Sequence, residues 1–355
     1  MTLATPSEAP ESTARGTSPL LSVLRVIPPE CYRRSTARGL AYLARSIGIY
    51  AVALGALAVS QVWWLVLPLW LLAGLAVAGL FVLAHDAAHG ALFDSARLNR
   101  RVGRALMVPS LHVYESWVVG HNRIHHGHTL RQGMDFVWHP VTVEEYRTLG
   151  PLGRIGHRIE WSPFGAGLYY LRAVWWDKMM RFTPPKRYRD AVRRDERFLA
   201  VCAGTAVLAV AVLGWLSGGG PLGAIWLVTK LFAVPFVVFA YVIGFAVYVH
   251  HIAPDIKWWS RRAWTSYHGQ VEGTTVLHVP RVLDVFFHHI FVHVPHHVDV
   301  RLPCYALPAA AEAIIAAFPD VDHRDFRWRD YLASTRACKL YDFDEQRWLT
   351  YAAAG

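Results

Sequence analysis

Two long apolar stretches, each broken once near its middle, dominate the pattern of polar and hydrophobic positions. None of the 39 residues between Arg45 and His85 is charged, and such a length accommodates two helices of roughly 20 residues across a hydrocarbon core of about 30 Å. From Phe198 to Val249 the single charge is Lys230, and Ser217-Gly218-Gly219-Gly220-Pro221 divides this region with a strong turn signal. We predict four membrane spans in two helical hairpins, at about residues 39–60, 63–84, 199–217 and 222–249.

The segments outside these spans complete an all-α membrane protein with a cytoplasmic helical cap. Residues 1–38 are expected to form a disordered N-terminal tail and entry segment, because the first twenty residues lack an apolar core and are rich in Ser, Thr, Pro, Ala and Glu. The main domain is predicted over residues 39–310 and includes a cytoplasmic region at 85–198. A cytoplasmic C-terminal helical segment is predicted over residues 311–355.

Composition and charge support this class and orient the spans. Hydrophobic residues make up 54% of the chain, charged residues make up only 17%, and the mean hydropathy is +0.24, which excludes an average soluble protein. Basic residues flank the spans on one side, whereas the short connections near Gln61 and Gly219 carry none. The positive-inside rule therefore places both termini and the central region in the cytoplasm, most simply at a bacterial inner membrane.

The net charge of +10 has two explanations. The charge either follows from this topology alone or forms a basic surface that binds anionic lipids or an acidic electron-transfer protein. No nucleic-acid partner is expected. The four cysteines have no paired spacing, which fits reduced thiols rather than a disulfide framework or a zinc ribbon.

The chain has 19 histidines, and three closely spaced groups of them are candidates for metal binding. HDAAH places two histidines four residues apart where the second span ends, HNRIHH repeats that spacing with one extra neighbour, and HVPHH combines spacings of three and four. Residues four apart share one helical face and can bind one metal ion. Neutral imidazole is a common ligand for iron, copper and zinc, and eight or nine of them suit two metal ions. The eight histidines in these groups are His85, His89, His121, His125, His126, His293, His296 and His297.

The motifs HDAAHG, GHNRIHH and HVPHH resemble the three histidine boxes of the membrane fatty acid desaturase superfamily. The segments LFDSARLNRRVGR, HVYESW, VPRVLDVFFHHI and RLPCYAL resemble acyl-lipid desaturases of the delta-12 or omega-6 type. The similarity extends over roughly residues 40–310. It implies that two iron ions are bound by the eight histidines of the boxes and by a ninth at the end of the fourth span.

For that ninth ligand VHHIAPD offers His250 and His251, and the family register favours His251. Asp86, inside the first box, would accept a ring N–H and orient a ligand. His289 stands where such relatives more often have Asn, so it either binds metal or packs. The remaining histidines, among them His112, are expected to have ordinary polar roles, and alanine at His112 is expected to be tolerated.

The resemblance implies an enzyme that uses dioxygen and two external electrons to introduce a cis double bond into a fatty acyl chain. The chain would be carried by a lipid, coenzyme A or a carrier protein. The electrons are expected from a separate protein, a ferredoxin with its reductase, since no cytochrome b5-like segment is recognised. The same scaffold also hosts hydroxylases, acetylenases and ketolases of aliphatic substrates. A non-enzymatic membrane metal carrier is the alternative from another class, although its ligands would lie within the spans.

Overall fold

A computed structural model describes residues 18–355, so residues 1–17 of the predicted tail lie outside the described part of the chain. From Pro19 onward the entry segment is structured and helices predominate. The main helices are α1 (Pro19–Val26), α2 (Thr36–Val59), α3 (Trp63–Ala88), α4 (Ala96–Leu106), α5 (Val118–His125), α6 (Pro151–Glu160), α7 (Tyr170–Met180), α8 (Arg189–Gly214), α9 (Gly220–Val228), α10 (Val234–His251), α11 (His293–Val298), α12 (Leu307–Ala317) and α13 (Trp328–Ala337).

The first apolar stretch forms the expected pair of helices. The helix α2 begins after Ser35, whose hydroxyl caps the first turn by accepting the N–H of Arg38 at 3.3 Å. The helix α3 packs against both α2 and α10. A Cβ at Gly74 would lie 2.3 Å from a methyl carbon of Val238, so glycine is needed where α3 and α10 approach most closely. This packing fixes the C-terminal end of α3, which carries the first histidine box.

Three helical runs in residues 18–355 are long and apolar enough to cross a membrane, namely α2, α3 and the 66-residue run Lys186–His251. The third run is not straight. Gly218 and Gly220 have φ values of 87° and 52°, which L-residues with side chains rarely adopt. Beyond this break α9 packs back against α8, and a Cβ at Gly214 would lie 2.5 Å from the carbonyl oxygen of Gly223. The predicted turn is therefore present, and the run forms a hairpin.

The remaining chain covers the ends of α3 and α10. It is mainly helical, as predicted, with two small sheets in addition, so the C-terminal segment is not wholly helical. The strands β1 (Val276–His278) and β2 (His323–Asp325) pair in parallel, with Val276 opposite His323. The strands β3 (Leu340–Asp342) and β4 (Arg347–Leu349) pair in antiparallel fashion. The first of these sheets ties the C-terminal segment to the residues that lead into α11.

Candidate metal centre

The nine predicted ligand histidines lie together where α3, α5, α10 and α11 meet. Eight of them form two groups in which the candidate ligand nitrogens lie within 4.8 Å of one another. The larger group contains five histidines and the smaller contains three. The larger consists of His85, His89, His121, His126 and His296, and the smaller consists of His125, His251 and His297. The ninth residue, His293, adjoins the smaller group because its Nε2 lies 3.1 Å from Nε2 of His297.

The last turns of α3 present the first box as its spacing predicts. His85 and His89 lie on one face, with their Nε2 atoms 3.4 Å apart. Nε2 of His85 also lies 2.8 Å from Nε2 of His121, which belongs to the second box. Both histidines of the first box therefore belong to the larger group.

The second box differs from its prediction because α5 is a π-helix. A wider turn brings the residue five positions along onto the same side of the helix as the residue four positions along. Accordingly His121 pairs with His126, and their Nε2 atoms are 3.1 Å apart. His125, four residues after His121, belongs instead to the smaller group. One irregular helix thus supplies both groups of histidines.

The third box is also divided between the groups. In α11, His296 belongs to the larger group and His297 to the smaller. Pro295 lies in the first turn of α11, where a missing backbone N–H costs least. His293 donates from Nδ1 to the carbonyl oxygen of Ile290 at 3.1 Å, which leaves its Nε2 facing His297.

The end of α10 distinguishes the two candidates for the ninth ligand. Nδ1 of His251 donates to the carbonyl oxygen of Gly273 at 2.9 Å, and its other nitrogen joins the smaller group. His250 belongs to neither group. Its ring stacks on that of His293, with the centroids 3.8 Å apart. This arrangement favours His251 as a ligand and gives His250 a packing role.

Two buried polar side chains that the sequence did not single out hold histidines of the smaller group. Asp135 accepts from Nδ1 of His125 at 2.7 Å, and Gln270 accepts from Nδ1 of His297 at 3.0 Å. Asp135 is itself fixed by the backbone N–H of Leu130 and Val137, each at 2.9 Å. These contacts assign the donor proton to Nδ1 and direct Nε2 of each ring inward.

Asp86 and His289 are oriented away from the ligand nitrogens. Oδ2 of Asp86 accepts the backbone N–H of Cys304 at 3.2 Å, and no imidazole donates to Asp86 within residues 18–355. The carboxylate that does accept a ring N–H from a box histidine is that of Asp135, and the donor is His125. Nδ1 of His289 lies 3.1 Å from Oδ2 of Asp284, and His289 belongs to neither histidine group.

Burial prepares these rings to bind metal. Desolvation, followed by the influence of neighbouring imidazoles, lowers the pKa of His121, His126 and His297 well below the usual value. They are consequently neutral near pH 7, as metal ligands must be. Burial alone would raise the pKa of Asp135, but His125 and the hydrogen bonds it accepts lower that pKa to about 2. Asp135 therefore remains an anion that orients His125.

The donor set fits metal ions better than it fits a hydrogen-bond network. A neutral imidazole has one donor and one acceptor nitrogen. Nε2 of His121 nevertheless lies 2.8 Å from Nε2 of His85 and 3.1 Å from Nε2 of His126. A single ring nitrogen cannot donate to one neighbour and accept from the other, whereas a divalent cation would accept the lone pairs of all the converging Nε2 atoms.

Comparison with known proteins decides the family. A family model described as fatty acid desaturase matches residues 62–328, three quarters of the chain and all three boxes. The chain belongs to the fatty acid desaturase family. It is 27% identical to the sn-1 oleoyl-lipid 12-desaturase of Synechocystis sp., over 95% of this chain and 94% of that protein. The omega-6 fatty acid desaturase, chloroplastic, of Arabidopsis thaliana is 28% identical over 92% of this chain and 70% of that protein.

This desaturase also buries a histidine outside the boxes. His112 donates from Nδ1 to the carbonyl oxygen of Ser110 at 2.7 Å, and its Nε2 lies 2.9 Å from the hydroxyl of Tyr170. Its ring packs against Phe81 and Trp117, and Trp117 stacks on His121. The structure thus argues against the tolerance expected for alanine at this position.

We expect His112→Ala to lower the free energy of unfolding by about 2–4 kcal/mol, because it creates a cavity and strands the hydroxyl of Tyr170. The exposed His323, replaced by alanine, is the matched control. Thermal unfolding of both purified variants in detergent checks this. Equal midpoints for His112→Ala and the wild type would contradict the structural role.

Proposed function

We propose that this membrane desaturase uses two iron ions and dioxygen to introduce a cis double bond into the acyl chain of a membrane glycerolipid. The observation that carries the proposal is the division of eight histidines, all buried except the half-buried His89, into two neighbouring groups, one of five and one of three with His293 beside it. One metal ion does not need so many imidazoles, whereas two ions side by side do.

In this proposal nine histidines hold the irons, and their neighbours orient them. The irons would be held by His85, His89, His121, His125, His126, His251, His293, His296 and His297. When bound, they supply the activated dioxygen that removal of hydrogen from an unactivated methylene requires. Asp135, Gln270 and the carbonyl oxygen of Gly273 hold the ring N–H protons of His125, His297 and His251, so that each Nε2 stays a lone-pair donor.

The overall reaction balances with an external reductant. One CH2–CH2 unit, dioxygen, two electrons and two protons give one cis double bond and two water molecules. We propose a ferredoxin with its reductase as the electron source. Exposed arginines on α4 (Arg97, Arg101), on α5 (Arg123) and on the first turns of α8 (Arg193, Arg197) suit an acidic electron carrier.

We further propose that the chain crosses a bacterial inner membrane four times. The break at Gly218 supports this, because α8 and the α9–α10 segment then run in opposite directions. Both ends of the chain and the histidines would lie on the cytoplasmic side, where the basic residues are concentrated.

An apolar cavity supports an aliphatic substrate. Its volume is about 410 Å³, and its walls include Tyr50 of α2, Val207 of α8 and Phe236 of α10. Between this cavity and the histidines lies a series of aromatic rings in contact, in which Phe236 packs on Phe239 and Phe239 packs on Phe81. Phe81 in turn packs on Trp117, which stacks on His121. We propose that the methyl end of the acyl chain occupies this apolar region.

The relatives refine the proposed substrate. Those named sn-1 oleoyl-lipid 12-desaturase act, by that name, on an oleoyl chain in a lipid. We propose the same substrate class and the same double-bond position for this chain.

A lipid profile tests the proposal. The gene is expressed in a host that lacks polyunsaturated fatty acids, and each lipid is analysed by fragmentation mass spectrometry. We expect a new diunsaturated chain that has lost one hydrogen from carbon 12 and one from carbon 13, so that a double bond joins these carbons. A product that gains one oxygen atom would show hydroxylation instead, and an unchanged profile despite a supplied ferredoxin and reductase would contradict desaturation of these lipids.

A further inference from the structure

A second cavity, of about 530 Å³, lies between α2 and the segment that precedes α11. It differs from the apolar cavity in its charged walls. Arg45, His278, Arg281 and His289 contribute polar groups, whereas Leu277 and Phe291 contribute apolar surface. A volume of this size suits a drug-sized ligand or a lipid head group with the start of its chains.

The position of Arg45 places this cavity at the edge of the hydrocarbon layer. Arg45 is the last charged residue before the 39 uncharged residues of α2 and α3. Its guanidinium donates to Nδ1 of His288 at 3.0 Å and lies 4.7 Å from the ring centroid of Tyr42. Arg45 lies within the first two turns of the predicted span 39–60, from which its long side chain can reach the level of the lipid head groups.

The cavity has an excess of positive charge. Neither Arg45 nor Arg281 forms an ion pair with a carboxylate within the described residues 18–355. The one acidic residue in its wall, Asp284, is engaged by His289 at 3.1 Å. Two guanidinium groups therefore remain available to an anion, and arginine is well suited to phosphate.

The apolar side of the cavity adjoins the candidate metal centre. The ring of Phe291 lies with its centroid 5.3 Å from that of His250. His250 stacks in turn on His293. A molecule with its anionic group at Arg45 and Arg281 would thus have its apolar part beside the wall of the histidine site.

We propose that this cavity binds the phosphate-bearing head group of the membrane glycerolipid whose acyl chain is oxidised. This assignment rests on the proposed function, because it names the carrier of the substrate for the same site. A glycerolipid is preferred to a soluble thioester because Arg45 lies at the membrane boundary, where head groups are concentrated.

Lipid binding tests the assignment without any need for turnover. Full-length protein is incorporated into nanodiscs of phosphatidylglycerol and phosphatidylcholine, and the lipids retained after detergent extraction are quantified by mass spectrometry. We expect the wild type to enrich phosphatidylglycerol and Arg281→Gln to reduce that enrichment by about tenfold, as for one lost charge-assisted hydrogen bond. Arg336→Gln, at an exposed position of α13, is the matched control and should retain the enrichment.

The contrary outcomes are distinct from a failure of desaturation. Equal enrichment in Arg281→Gln and the wild type, or no enrichment in either, would overturn the assignment even if the enzyme is active. Arg281 is exposed and forms neither a side-chain hydrogen bond nor an ion pair within residues 18–355, so its substitution should not disturb folding. If Arg281→Gln weakens the binding of oleoyl-coenzyme A but not of phosphatidylglycerol, the carrier is a thioester phosphate and the glycerolipid assignment is wrong.

Discussion

Replacing His125 by alanine is expected to abolish turnover and to lower the iron content of the purified protein. His125 is one of three histidines in the smaller group, so its loss leaves that group with His251 and His297 beside His293. The effect should exceed the roughly 10- to 100-fold loss that follows removal of an outer hydrogen-bond partner. Product formation in isolated membranes and metal analysis of the purified variant measure it.

The companion variant His296→Ala affects the larger group and should behave in the same way. Both proteins should remain in the membrane, because α2, α3 and the Lys186–His251 run are unchanged. His323→Ala, on the exposed surface, is the control and should retain iron and activity. Full activity in either His125→Ala or His296→Ala would refute the assignment of the boxes.

Asp135→Asn is expected to have the second largest effect, a loss of about 10- to 100-fold in iron affinity or turnover. The carboxylate of Asp135 accepts from His125 with one oxygen and from the N–H of Leu130 with the other. An amide can accept at only one of these positions and presents N–H donors at the other. His125 would therefore lose its fixed tautomer, or the N–H of Leu130 would lose its partner.

The exposed Asp325 provides the matched control, because Asp325→Asn makes the same chemical change away from the site. Iron content and turnover should both be near wild-type values in this control. Thermal unfolding of Asp135→Asn separates a positioning role from misfolding. A normal iron content together with normal turnover in Asp135→Asn would show that the contact with His125 has no functional consequence.

The sequence predicted the histidines because their signal is local. Spacings of three and four residues along a helix need no tertiary information, and the structure does bring all nine residues together. The apolar pattern likewise predicted α2, α3 and the turn at Gly218. Each of these features depends on residues that are close together in the chain.

The distribution of the histidines between the two groups could not be predicted in the same way. An α-helical spacing pairs His121 with His125, but the π-helix pairs His121 with His126. A π-helix is rare, and the spacing of residues in the sequence does not distinguish it from an α-helix. Gly120 marks the crowding there, since a Cβ at that position would lie 2.2 Å from the ring of Phe136.

The residues that orient the ligands were missed for a related reason. Asp135 lies in an irregular segment ten residues after His125, and Gln270 belongs to a short π-helix far from any box. Neither has a periodic relation to a histidine. Asp86 was chosen because it lies inside a box, yet the end of α3 directs its carboxylate to Cys304. Position in a motif therefore found the histidines that lie together, but not the side chains that accept their ring N–H groups.

The most direct test of the central proposal is the amount and state of iron in the purified full-length protein. Metal analysis by mass spectrometry should be combined with Mössbauer spectroscopy of protein produced with iron-57. We predict two iron ions per chain in nitrogen-rich sites, and loss of this signal in His125→Ala. A single iron per chain, or zinc in place of iron in a preparation that forms product, would contradict a di-iron centre.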